Sequence, residues 1–409
     1  MDPERYALEN LAIWLGVGVE RFRSLLTGEQ LRELYASLVV QPIPPHERLL
    51  RRLLQPVMGS CPPGLRRVVT GILKQARNLT VNRHGRPKLA APRNENGLQR
   101  DAGIFTVKMS GSHRSLFSLP GGDKSAWPWR FKGKKPERLR ECSAARLFLE
   151  LKELLGVDGI DWGGARSVVC LTHDVDNLEG YRFIEQVTAM EERYAVRSSF
   201  NFLTGWEYQI DPELISHLGR AGYEVGLHGL THDIALGFRG RQEIRRQITA
   251  AIEGLPMRAE GFRAPALAVS QELLSVLDEL GFAYDSSLSV TSRYFRGVGI
   301  CLPYRYPGLN LWEVPLAIQD DTLFRDLRLS EEEGFQVMKE LVEQVQALGG
   351  VAVINAHPCI IRKRPGFYQK LLEYLGEEEE EIRCIPVGAL VRYLEGCRLT
   401  KEGKMQNAK

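Results

Sequence analysis

From about residue 165 onward the chain alternates short apolar runs with amphipathic stretches, and this rhythm restricts the fold more than any other feature. Candidate strands lie at 168–171, 199–203, 224–227, 260–262, 282–285, 312–318, 351–356 and 382–385. Candidate helices lie between them at 179–194, 212–221, 241–255, 271–280 and 331–348. Repeated β–α units imply a parallel sheet with helices outside it, hence an α/β barrel or a doubly wound sheet. No internal repeat is evident.

The first part, 1–78, reads as a helical region, with apolar residues at helical spacing from Ala7 to Leu38 and a break at Pro42, Pro44 and Pro45. Its later stretches carry Arg48, Arg51, Arg52, Arg66, Arg67, Lys74 and Arg77. Such a face is either a solvated helix surface or a basic surface that could make peripheral contact with an anionic membrane. Residues 79–164 read as a linker with local structure and one helix over 137–155; the barrel is expected over 165–396 and a tail over 397–409. The acidic run 377–381 reads as a solvated helix end or loop.

A length of 409 residues with 44% hydrophobic and 26% charged residues is that of an ordinary globular protein with material for a large core. A net charge of +3 gives no reason to expect a nucleic-acid partner. The seven cysteines are dispersed, without a C-x-x-C pair, which favours a reducing compartment. No secretion signal or apolar span of membrane length is evident, so the expectation is a cytoplasmic protein.

The chemistry-bearing residues follow the strands. Val168–Leu171 runs into Thr172-His173-Asp174-Val175-Asp176, and Glu224–Leu227 runs into His228-Gly229-Leu230-Thr231-His232. Gly261-Phe262 delivers Arg263-Ala264-Pro265, and the run from Val351 delivers His357. In a parallel barrel the carboxyl ends of the strands converge on one mouth. His228 and His232, at i and i+4, could share one side of a helical turn and bind one divalent ion. Asp174 and Asp176 share a strand face, so one could bind metal while the other takes a proton; helix capping is the bland alternative. His173 would face the other way as a structural residue. Arg263 could hold the catalytic carboxylate ionised, and His357 could act as general acid.

Order, spacing and wording of these segments resemble the polysaccharide deacetylases of the NodB-homology type, carbohydrate esterase family four. Thr172–Asp176 resembles the first motif of that family, Gly222–His232 the second, Gly261–Pro265 the third and Val353–His357 the fifth. The resemblance implies a distorted (β/α)7 barrel, here with an N-terminal helical extension. It implies a divalent metal, zinc above others, held by one Asp and two His. Carried over, Asp174 is the base, Asp176, His228 and His232 are the metal ligands, Arg263 orients the base and His357 protonates the amine. The position directly after the base, where the family has its metal-binding Asp, is Val175; Asp176 is the substitute in a His-Asp-Val-Asp variant. Ala266 stands where the family has an aromatic residue, and its backbone N–H can still serve the oxyanion. The fourth motif has no clean counterpart; Asp285, Asp320 and Asp321 are its candidates.

The implied reaction is metal-dependent hydrolysis of an N-acetyl group, releasing acetate and a free amine. The implied partner is an N-acetylated sugar, an oligosaccharide, or a lipid- or nucleotide-linked sugar. Two other readings stay open: a metal-independent amide hydrolase of the allantoinase-like branch, and a non-catalytic glycan-binding barrel.

Overall fold

The computed structural model describes residues 2–40, 52, 143–290 and 298–399. The ten strands among the described residues join one sheet, in the order β6-β7-β5-β4-β3-β2-β1-β9-β8, with β10 on β1. Their ranges are β1 Ser167–Val175, β2 Ser199–Leu203, β3 Glu224–Gly229, β4 Gly261–Phe262 and β5 Tyr284–Asp285. They continue as β6 Tyr304–Arg305, β7 Trp312–Glu313, β8 Leu316–Gln319, β9 Val351–Asn355 and β10 Ile382–Cys384. Every pairing is parallel except β6 with β7.

The sheet curls until the segment after β5 meets β8. There Ser289 forms a single parallel bridge to Leu316, flanked by Val290 N–H to Leu316 O at 2.9 Å and Leu316 N–H to Leu288 O at 2.8 Å. The curled, mostly parallel sheet with helices around it is the distorted (β/α) barrel that the family resemblance implied, and it decides between the barrel and the doubly wound sheet left open by the strand rhythm. The strongest strand is β1, whose nine residues are all buried. It is covered on both faces, which is why Val168–Leu171 reads as a continuous apolar run. One edge of β1 pairs with β9, while the other pairs with β10 at its start and β2 at its end.

Capping chemistry fixes the helices between the strands. Helix Glu331–Leu348 starts in a capping box, with Ser330 Oγ accepting from Glu333 N and Glu333 accepting from Ser330 N. It stops at Gly349, whose φ of 78° favours a residue without a Cβ. Pro212 and Pro365 open their helices at the first turn, where a missing N–H costs nothing.

The described N-terminal helices Pro3–Leu15 and Gly28–Leu38 share the apolar core of the barrel. Trp14 is fully buried and its Nε1 donates to Pro303 O at 2.9 Å, while the Tyr6 hydroxyl donates to Arg305 O at 2.5 Å. The basic residues of 1–78 singled out above lie outside the described residues except Arg52, which donates to Phe238 O.

Strand 312–318, read as one element, is two. Pro315 has no N–H to give a ladder and separates β7 from β8. Helix 179–194 is likewise divided into Leu178–Tyr181 and Ile184–Glu192.

Candidate functional site

Asp174 lies near the end of β1 and Asp176 is the first residue beyond it, so both reach the mouth where β2, β3 and β9 also end. His228 sits on β3 and is buried; His232 follows in the loop. Asp176 Oδ1 is 3.3 Å from His228 Nε2 and 3.7 Å from His232 Nε2. One correction concerns how the imidazoles meet. No helical turn joins them; a bend after β3 does, with Gly229 at φ 127° and a close Asp233 N–H to Thr231 O contact of 2.6 Å. Positive φ at the strand end favours glycine, which has no Cβ to clash.

Donor chemistry in this cluster fits a divalent cation. His228 Nδ1 lies 2.7 Å from Arg263 O, and a carbonyl can only accept, so Nδ1 carries the proton and a neutral ring turns its Nε2 lone pair towards Asp176. Asp176 Oδ1 is itself buried without a hydrogen-bond partner. A tetrahedral ion with bonds of about 2.0–2.1 Å separates its donors by roughly 3.4 Å, close to the spacing seen. Burial opposes charge on Asp176, but His232, His228 and His357 hold its carboxyl well below the usual range. Burial keeps His232 below the usual imidazole range, whereas on His228 the burial effect is outweighed by Asp174 and Asp176.

Asp174 is gripped from both sides. Its Oδ1 accepts from Asn201 Nδ2 at 2.9 Å and its Oδ2 from Asn355 Nδ2 at 2.8 Å, while Asn355 Oδ1 takes the Asp174 N–H at 3.2 Å. Arg263 Nη1 lies 3.5 Å from Asp174 Oδ1. Burial pushes this carboxyl up, yet Arg263, His228 and His357 together leave it below its ordinary value. Arg263 is buried and also tied to the barrel wall, donating to Thr172 Oγ1 at 2.7 Å, Ser286 O at 2.8 Å and Ser286 Oγ at 2.9 Å. Gly226 makes room for this arrangement, since a Cβ there would come 2.3 Å from Asn201 Oδ1.

His357 follows β9. Its Nδ1 lies 2.6 Å from Asp320 Oδ1 and its backbone N–H donates to Asp320 Oδ2 at 2.7 Å. Burial pulls the imidazole down, but the Asp320 carboxylate outweighs it and raises His357 well above its usual value. Its Nε2 is 3.7 Å from Asp176 Oδ2 and 3.5 Å from Asn355 Nδ2. Of the three acids left open for the fourth motif, Asp320 alone holds His357 in this way. Asp321 instead pairs with Arg325 at 2.9 Å, and burial pushes its carboxyl up to about 6. Although Asp320, Asp321 and His357 also cluster like ligands, both Asp320 oxygens are engaged by His357.

Asp285 lies away from these groups, paired across the sheet with Glu313. His173 faces the helices: its Nδ1 is 2.5 Å from Ala356 O and its Nε2 is 2.8 Å from the buried Glu191 carboxylate. Ala266 is exposed in a strained turn at φ 50°, ψ 27°, followed by Leu267 at φ 53°. Asn201, Asn355 and Glu207, whose Oε1 accepts from His232 N at 2.9 Å, were not singled out by sequence reasoning. Asparagine inside a buried strand, at Asn201 and Asn355, is the one signal that pointed to two of them.

Residues 163–284 match the polysaccharide deacetylase family model. A peptidoglycan deacetylase-like protein of Gibberella zeae is 31% identical over 91 residues, covering 22% of this chain and 27% of that one. The match thus spans about a quarter of that relative's length. Among solved structures, the Puue allantoinase superposes with a TM-score of 0.50 at 15% identity, over 58% of this chain and 92% of that chain. A Mycobacterium smegmatis protein described as a polysaccharide deacetylase gives a TM-score of 0.49 at 19% identity, over 61% of this chain and 96% of that one.

Proposed function

We propose that this chain hydrolyses an N-acetyl group on a sugar-containing substrate with the help of a divalent cation, zinc being the expected one. The observation that carries the reading is the meeting of Asp176, His228 and His232 within ligand distance of one another, beside a clamped Asp174 and a carboxylate-backed His357. The match of 163–284 to the polysaccharide deacetylase model supports the substrate class.

Asp176, His228 and His232 would hold the cation, which when bound supplies Lewis acidity towards water and the acetamide carbonyl. Asp174 takes the proton that leaves the attacking water. Asn201, Asn355 and Arg263 keep that carboxylate ionised and fixed, so little reorganisation precedes the transfer. The Ala266 N–H, presented by the strained turn, is the expected donor to the developing oxyanion. His357, charged and oriented by Asp320, gives its Nε2 proton to the departing nitrogen. Water and acetamide thereby become acetate and a free amine, with no bond formed to the protein.

The test is acetate release from a panel of N-acetylated oligosaccharides and lipid- or nucleotide-linked sugars, alongside metal analysis of the purified protein. Bound zinc, with activity abolished by a chelator and by His228→Ala, is the expected result. Activity that persists after complete removal of metal would transfer the reading to a metal-independent amide hydrolase.

A further inference from the structure

Glu207 sits in the segment that leaves β2 at the mouth, and that segment is firmly held. The Tyr208 hydroxyl donates to Val175 O at 2.7 Å, one residue before Asp176, and accepts from Leu203 N at 2.8 Å. Gly205 lies so close to the next loop that a Cβ would come 2.4 Å from Leu230 O. On this support Glu207 turns Oε1 to the backbone N–H of His232, at 2.9 Å. Its other oxygen, Oε2, is buried and has no hydrogen-bond partner. No lysine or arginine pairs with Glu207 among the described residues, while His228 and Asp176 lie within its electrostatic reach. A carboxylate oxygen kept from water without a donor is costly, and a cation in the neighbouring site would offset that cost.

We infer that Glu207 is a positioning residue of the cation site: it fixes the loop bearing His232 and adds negative charge outside the three ligands. This rests on the reading that Asp176, His228 and His232 hold a divalent cation, and it concerns the strength of that binding. Partners behind metal ligands typically contribute 10- to 100-fold in affinity.

The test is zinc affinity of the full chain, measured by competition with a chromogenic chelator, with thermal unfolding as the control for folding. Glu207→Ala is expected to bind zinc about 10- to 100-fold more weakly than wild type. Glu207→Gln keeps an acceptor for the His232 N–H and loses the charge, so a weakening of roughly tenfold is expected. It carries the test alone if the alanine variant does not fold. Wild-type affinity in a folded variant overturns the inference while leaving the cation site standing. A wild-type protein that takes up no zinc overturns both, so the two failures are distinct.

Discussion

His357 gives both of its near donors to one carboxylate: the ring N–H and the backbone N–H each reach a separate oxygen of Asp320. The pair fixes ring orientation and charge together, leaving Nε2 as the nitrogen that faces Asp176. Asp320→Asn preserves shape but removes the counter-charge, and kcat is expected to fall about 100-fold with little change in KM. Steady-state kinetics on the best substrate of the panel measures this. A kcat within twofold of wild type would remove His357 from the role of general acid.

Asp174 and Asp176 are separated by a single residue, yet their surroundings differ. Amide donors surround the first and imidazoles surround the second. Asp176→Asn is therefore expected to lose bound zinc, whereas Asp174→Asn keeps it and loses activity by about 100-fold or more. Metal content of the two purified variants decides the assignment, and the opposite pattern would exchange the two roles.

Asp285 and Glu313 face one another in the closed wall between β5 and β7, and Asp285 also accepts from Ser287 Oγ at 2.6 Å. Burial pushes the Asp285 carboxyl up to about 6 from 3.8, and burial with Asp285 pushes Glu313 well above its ordinary value. Between those two values the folded state binds more protons than the unfolded one, so stability falls as pH rises through the window. The loss from Asp285 is complete above its folded value and amounts to about 3 kcal/mol. Asp285→Asn should therefore flatten urea-unfolding stability between roughly pH 4 and 6 and leave the variant more stable than wild type at pH 7.5. Equal slopes in both proteins would contradict the account.

Glu224, at the foot of β3, joins three elements. It accepts from Ser199 Oγ at 2.6 Å, Tyr284 hydroxyl at 2.8 Å and the Gly388 N–H at 2.8 Å, where helix Val387–Leu399 begins. Glu224→Ala strands those donors, at a cost of roughly 2–4 kcal/mol. His228 is four residues further along the strand, about 13 Å away, so zinc affinity should be unchanged. Chemical unfolding and zinc titration together check both halves.

Much of the barrel was legible because its strands are short, apolar and punctuated by helices of helical period. The strand at 199–203 and the helix at 331–348 lie where the pattern put them. Less legible were elements defined by partners far away in the chain. β6 consists of Tyr304 and Arg305 only, and it exists because Trp312 and Glu313 lie beside it. The same holds within the site. Histidines and aspartates at strand ends announce themselves, but nothing local distinguishes Asp320 from Asp285 or Asp321. The choice depends on β8 lying beside β9, a tertiary pairing. Asn201 and Asn355 both donate to Asp174; Asn201 lies in none of the motifs, and Asn355 lies in one that is marked by its histidine.

The ring of strands is unevenly zipped. Where Ser289 meets Leu316 one residue pair spans the gap, in contrast to the long ladder between β1 and β9. Breathing of the barrel should begin at that seam, with backbone amides of Val290 and Leu316 exchanging with deuterium sooner than those of Cys170 or Val353. Because β8 runs straight into Asp320, mild warming should loosen the carboxylate that holds His357 before it disturbs His228 and His232 at the end of β3.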